Sequence, residues 1–391
     1  MSSSPTELQR LGGRTPITID SVETLAVQVS PRGNWIIVRL RAGPLLSGLG
    51  EASHGFGFSK ASRGDDARMR SLIERYFQFI AGKSPFCAEA FRMAAWAQAV
   101  REGLPAVTAF SALEQALWDL AGKALGVPVY QLLGGKVRDE IDVYANINRA
   151  THDRSPEEFA RNAGRAVAEG FRAVKAATFD DFPPLDSTAE TLEEMAELGI
   201  RRLAAMRKAV GPGIRLMVDC HSRFDRDWAV RIARELEPLD LYWFEEPVDP
   251  RDIEATRDIK RSIRQKMAGG EILFGCEGFE PLCRGGALDA IMPDVKHCGG
   301  FLEARKIAAL AGVHGISVSP HNPSGPVSMA VSAHLCAGIA NFLTLEHAWG
   351  EVNWRSSLLE PPERFVNGAL PVPRKPGWGV ELNEAVLSAH V

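Results

Sequence analysis

Six acidic or basic side chains recur along the second half of the chain at nearly constant spacing: Asp219, Glu245, Glu271, Asp294, His321 and Glu346. The steps between them are 26, 26, 23, 27 and 25 residues. Each closes a short apolar run, and one step is about the length of a strand, a helix and their loops. A lone Asp or Glu in such a place usually caps a helix or faces water. Six on one repeat form a set, and a closed ring of parallel strands would carry them all to one face.

Three of them, Asp219, Glu245 and Glu271, would be neighbours on that ring. Like charges ~4 Å apart repel by several kcal/mol in a protein environment, so the trio calls for a cation. Ligation by oxygen, with water or substrate completing the shell, favours Mg²⁺, with Mn²⁺ as the alternative. Asp294 precedes His321 by one repeat. A carboxylate that accepts from one ring nitrogen fixes the tautomer and raises the basicity of the other, which makes this pair a candidate base. Glu346 closes the ring beside the metal trio. When protonated it would donate to a developing oxyanion. The chemistry implied is removal of a proton next to a carboxylate. Glu246 points to the other side of its strand and is expected in a supporting contact, and Cys220 is expected to pack against helices. His297, His314, His334 and His347 have no comparable context and are read as structural.

The elements that must position these groups are legible. From Ile17 to about Gly57 three strand-like runs suggest an antiparallel meander. Residues 66–126 turn helical, most clearly over Ala106–Leu125. After Gly134-Gly135 short apolar runs alternate with amphipathic helices: Ile141–Ile147, Phe171–Ala177, Ile214–Cys220, Leu241–Phe244, Met267–Gly270, Ala287–Met292, Gly315–Ser319 and Phe342–Leu345. Eight β-α units are a barrel count. The expected organisation is an α+β domain over 1–135, a TIM barrel over 136–355, and a segment over 356–391 that returns to the first domain.

Composition narrows the class. The 391 residues are 45% hydrophobic and 24% charged, with a formal net charge of -4. No basic block is present, which argues against nucleic-acid binding. No apolar run approaches the ~20 residues of a membrane span. Met1–Pro16 is polar and unlike a signal peptide. The six cysteines are scattered, without the spacing of a zinc site or a disulfide scaffold. A cytoplasmic protein is expected.

Several motifs carry a family resemblance. They are Ser111–Gly135 (SALEQALWDLAGKALGVPVYQLLGG), Val218-Asp219, Trp243-Phe-Glu-Glu-Pro247, Gly270-Glu271, Met292-Pro-Asp294 and Pro320-His321-Asn322. Together they resemble the enolase superfamily, mandelate racemase subgroup, from about residue 17 to 385. The resemblance implies a capping domain over a (β/α)7β barrel. It also implies one Mg²⁺ on Asp219, Glu245 and Glu271, the Asp294–His321 pair as base, and Glu346 as electrophile. The loop near Gly43–Phe58 would close over the substrate, and a homo-oligomer is expected.

Two positions separate members of the subgroup. The racemase pattern Lys-x-Lys reads here Lys175-Ala176-Ala177, so the second base is missing and Lys175 is left to face the substrate carboxylate. His221 lies two residues past Asp219, on the same face, and Arg223 follows. This looks like the sugar-acid dehydratases of the subgroup, in which such a histidine is the general acid for the departing 3-hydroxyl. The product would be a 2-keto-3-deoxy acid. Asn146, Asn148, Arg149 and Arg223 are the candidates for binding the rest of the substrate. The long acidic loop over Thr178–Thr188 would disfavour a dianion if it reached the mouth. A racemase, epimerase or cycloisomerase is the alternative, and a non-catalytic binding protein the third class.

Overall fold

The computed structural model describes residues 17–30, 33–57, 62 and 64–391. The expected tail over 1–16, and Phe58 at the end of the expected closing loop, lie outside them. β1 (Ser21–Ser30), β2 (Gly33–Ala42) and β3 (Leu46–Glu51) pair antiparallel in chain order. β2 is central and largely buried, whereas β1 is an edge with exposed positions. Three helices follow: α1 (Asp65–Phe77), α2 (Ala88–Glu102) and α3 (Leu104–Leu125).

α3 is apolar nearly all round and almost wholly buried, as a helix in the middle of a core must be. It lies directly on β3. A Cβ at Gly48 would come within 2.2 Å of the Ala116 carbonyl oxygen, and one at Gly50 within 2.0 Å of that of Ala112. The Gly-Leu-Gly run is what lets the backbones approach so closely. Gly50→Ala is therefore expected to cost about 1–3 kcal/mol through overpacking. A lowered urea midpoint with an unchanged slope would report it; an unchanged midpoint would contradict the close approach.

The second half is a parallel sheet of β4 (Glu140–Asn146), β5 (Ala173–Ala176), β6 (Arg215–Asp219), β7 (Trp243–Glu245), β8 (Met267–Gly269), β9 (Ala290–Ile291), β10 (Ser317–Val318) and β11 (Leu345–Ala348). β4 to β10 pair in sequence, and β11 pairs with β4. A parallel bridge between Val318 and Phe342 brings the approach to β11 against β10, so the sheet curls round on itself. Between the strands run α4 (Pro156–Ala168), α5 (Ala189–Val210), α6 (Arg226–Glu235), α7 (Ile253–Ser262), α8 (Gly275–Gly285), α9 (Gly300–Val313) and α10 (Pro326–Gly338). This is the (β/α)7β pattern. The strands are buried on both faces, which is why they read as apolar runs rather than alternating ones. Ser155, Thr188, Asp225 and Asp252 cap α4 to α7 through their side chains and fix where each helix starts.

The last run differs from the sequence expectation. Phe342 only bridges, while pairing with β4 takes Leu345 to Ala348, so the strand lies further along than Phe342–Leu345. Beyond the barrel, β12 (Leu359–Glu360), β13 (Ala369–Pro371), β14 (Glu381–Leu382) and α11 (Glu384–Ser388) run back towards the first sheet. β13 pairs with β4. The Trp378 amide donates to Asp119 Oδ1 at 2.7 Å, and its indole donates to the Leu49 carbonyl at 2.9 Å. Arg39 meets Glu384 at 2.6 Å. Among the described residues, no helix is long and apolar enough to cross a membrane.

Candidate active site

Neighbouring parallel strands carry residues at or just past their C-terminal ends to one rim. Asp219 ends β6, Glu245 ends β7, Glu346 lies in β11 and Lys175 in β5. Glu271 follows β8, Asp294 follows β9 and His321 follows β10 within three residues. All seven side chains are buried. Lys175 is the hub. Its Nζ lies 2.6 Å from Glu245 Oε1, 3.1 Å from Glu346 Oε1 and 3.2 Å from Asp219 Oδ2. Burial opposes its charge, but Glu245 and Glu346 outweigh that and hold it protonated, well above its ordinary value. The other oxygen of Glu245 accepts from the Trp243 indole at 2.7 Å.

The acids still lack positive charge. Burial first, and then Asp219, push Glu245 well above the carboxylate range. Burial also raises Glu271, whose Oε2 is buried without a hydrogen-bond partner, with His321 Nε2 3.2 Å away. Asp219 goes the other way: burial is outweighed by His221 and Lys175. One ligand atom each from Asp219, His221 and Glu271 fall within 4.8 Å of one another. Oxygen-rich donors, mutual repulsion and an orphaned carboxylate oxygen fit a hard divalent cation. That cluster contains His221 rather than Glu245, whose oxygens accept from Lys175 and Trp243 and each keep a lone pair for a cation.

On the far side, His321 Nδ1 is 2.8 Å from Asp294 Oδ2. Its Nε2 therefore faces the acid ring, 3.2 Å from Glu271 and 3.8 Å from Glu346. Burial lowers the His321 basicity, but Glu271, Glu346 and Asp294 raise it further, for a net rise. Asp294 has a second partner that sequence reasoning missed. The ammonium of Lys296, fully buried, sits 2.8 and 2.6 Å from its two oxygens. Against burial, Lys296 and the neighbouring histidines hold Asp294 well below the usual range. Lys296 is two residues past Asp294, so the alternation that singled out His221 pointed to it as well.

Glu346 meets three donors. It accepts from Asn146 Nδ2 at 2.7 Å and from the Asn322 amide at 2.8 Å, besides Lys175. Burial would raise it, yet Lys175 and His321 bring it below its ordinary value. In this arrangement the carboxylate is ringed by donors and accepts from each. The candidate substrate binders are also engaged. Asn146 Oδ1 accepts from the Asn148 amide at 2.9 Å, and Asn148 Oδ1 accepts from the Ala177 amide at 2.7 Å, so both fix strand ends. Arg149 is buried, 3.3 Å from His54 of the first domain and 3.7 Å from Glu351. Arg223 is exposed at the rim. Glu246 accepts from the Gly270 amide at 2.9 Å, and burial, then Glu271, raise it to about 8.

His221 stands apart. His221 and Ser222 both take left-handed backbone, with φ of 44° and 56°, so the chain turns sharply at the end of β6. The His221 amide donates to Asp219 Oδ1 at 3.0 Å, and its Nε2 lies 3.2 Å from Asp219 Oδ2. Nδ1 lies against Asp180 Oδ1 of the acidic loop. Burial opposes its charge, but Asp219 and Asp180 raise it well above its ordinary value. Its side chain keeps 31% exposure where that of His321 has 4%, so it faces the open mouth.

Comparison with known proteins agrees with this architecture. Residues 16–134 match the mandelate racemase/muconate lactonizing enzyme N-terminal domain, and 158–386 match the enolase C-terminal domain-like family. The chain is 33% identical to a D-xylonate dehydratase of Haloferax volcanii over 97% of this chain and 90% of that protein. It is 38% identical to a D-gluconate dehydratase of Thermoproteus tenax over 72% and 56%. A mandelate racemase/muconate lactonizing enzyme-like protein of Rubrobacter xylanophilus superposes with a TM-score of 0.86 at 32% identity, covering 96% of this chain and 98% of that one. The chain belongs to the mandelate racemase/muconate lactonizing enzyme family of the enolase superfamily.

Proposed function

We propose that the protein dehydrates a sugar acid to a 2-keto-3-deoxy acid with the help of Mg²⁺. One observation carries the reading. Two histidines, His321 on Asp294 and His221 on Asp219, approach the same carboxylate, Glu271, from different strand ends. One can take a proton and the other can give one. Ala177 stands where a second lysine base would serve a racemase. The dehydratase names of the relatives support the same chemistry.

Asp219, Glu245 and Glu271 would hold the cation, which when bound supplies Lewis acidity towards the substrate carboxylate. Lys175 adds a fixed positive charge beside that carboxylate, held in place by Glu346. His321, oriented by Asp294, takes the C2 proton through Nε2. The negative charge that develops is met by the Lys175 ammonium, already in position and so without reorganisation. His221 passes a proton to the 3-hydroxyl, the C3–O bond breaks, and water leaves. The enol product then becomes the 2-keto acid.

The test is an NMR screen of five- and six-carbon sugar acids with Mg²⁺ in D₂O. Loss of the 3-hydroxyl with a new keto product is the expected result. C2 exchange with inversion and no loss of water would replace the dehydratase with an epimerase. Neither exchange nor elimination, in protein whose melting temperature rises with Mg²⁺, would sink the sugar-acid reading.

A further inference from the structure

The first half of the acidic loop between β5 and α5 is fastened on two sides. Arg202 of α5 is buried and grips Asp181 with two bonds of 2.6 and 2.7 Å. It also donates to the carbonyls of Thr178 at 2.8 Å and Arg154 at 2.7 Å. Arg154 donates to the Ala177 carbonyl at 2.8 Å and lies 3.9 Å from Asp180 Oδ2. On the other side, Phe179 and Phe182 stand edge-on to Phe224, with centroids 5.2 and 5.0 Å apart. Phe224 belongs to the turn that carries His221. The loop and the turn are thus packed together, and the charges of Asp180 and Asp181 are met by Arg154, Arg202 and His221.

Asp180 is what this unit presents to the site. One oxygen is turned to Arg154 and the other to His221 Nδ1. We propose that Asp180 is the positioning residue of His221, fixing the ring so that Nε2 faces Asp219 and the place of the departing hydroxyl. The site then holds two carboxylate–imidazole pairs, Asp294–His321 for proton removal and Asp180–His221 for proton delivery. An imidazole tethered at one nitrogen keeps the other aimed, and aim is what proton transfer in the transition state requires. This rests on the dehydratase reading above.

The test uses a sugar acid that the wild-type protein dehydrates, together with its 3-deoxy-3-fluoro analogue. Fluoride departs with the C–F electron pair and needs no proton. With Asp180→Ala, dehydration is expected to slow by about 10²-fold. Deuterium should then wash into C2 of recovered substrate, because the enediolate returns rather than going forward. Elimination of fluoride should stay within about twofold of wild type, which a merely loosened fold would not allow. Asp180→Asn, of equal volume, is the second variant should alanine unsettle the loop, with the same signatures in smaller measure. Equal losses of water and fluoride, or dehydration at the wild-type rate, would overturn the proposal. His221→Ala is the reference. If it shows the signature and the Asp180 variants do not, Asp180 alone is wrong. If it does not show it, His221 is not the acid and the inference falls with it. If wild type dehydrates no acid, both readings fall together.

Discussion

His321→Asn is expected to lower dehydration by ~10²–10⁴-fold, the usual worth of a general base, and to abolish exchange at C2 as well. The second half is the sharper. Loss of the proton donor leaves C2 exchange alive, whereas loss of the base stops it, since no enediolate forms. Asparagine can still reach Asp294, so the fold around Lys296 and Asp294 should persist. Steady-state rates and ¹H NMR in D₂O check both. A His321→Asn variant that exchanges C2 at the wild-type rate would remove His321 from the reaction and move attention to Lys175.

Lys175→Met is expected to destabilise the metal-free protein by about 3–5 kcal/mol, the cost of stripping the partner from buried charges. Its ammonium touches Glu245, Glu346 and Asp219, and its own exposure is zero. Without it the remaining carboxylates must take up protons or repel. A divalent cation supplies the missing charge, so Mg²⁺ should raise the melting temperature of the variant more than that of wild type. Turnover should fall in either case, because the charge beside the substrate carboxylate is gone. Equal Mg²⁺ shifts in the two proteins would mean that Lys175 and the cation do not share those acids.

Some of this site was legible because a barrel repeats along the chain. Asp219, Glu245, Glu271, Asp294 and His321 each end or follow a strand, Glu346 lies within the last one, and the chain takes a near-constant length to return to the same rim. His221 followed from two-residue alternation, and Lys296 lay open to the same argument. Boundaries were less legible. β9 and β10 have two residues each, though the apolar runs that contain them are longer. What stayed hidden was non-local. Asp180 meets His221 from a different strand end, in a loop that Arg202 of α5 holds through the neighbouring Asp181. Contact between His54 and Arg149 depends on how the first domain meets the barrel. The ionisation of Glu346 depends on where Lys175 points, which no spacing encodes.

The attachment of Trp378 to the first domain also bears on how the molecule is made. Asp119 is fully buried and, besides Lys123, accepts from the amides of Leu49 and Trp378. Two of these donors are translated early or alongside it, but Trp378 is 259 residues downstream. During synthesis the cap therefore emerges first and waits with a carboxylate oxygen and the Leu49 carbonyl unmatched. Such unmet groups cost about 1–3 kcal/mol each if buried. The cap is made before the barrel and is finished after it, when Trp378 arrives to lock it.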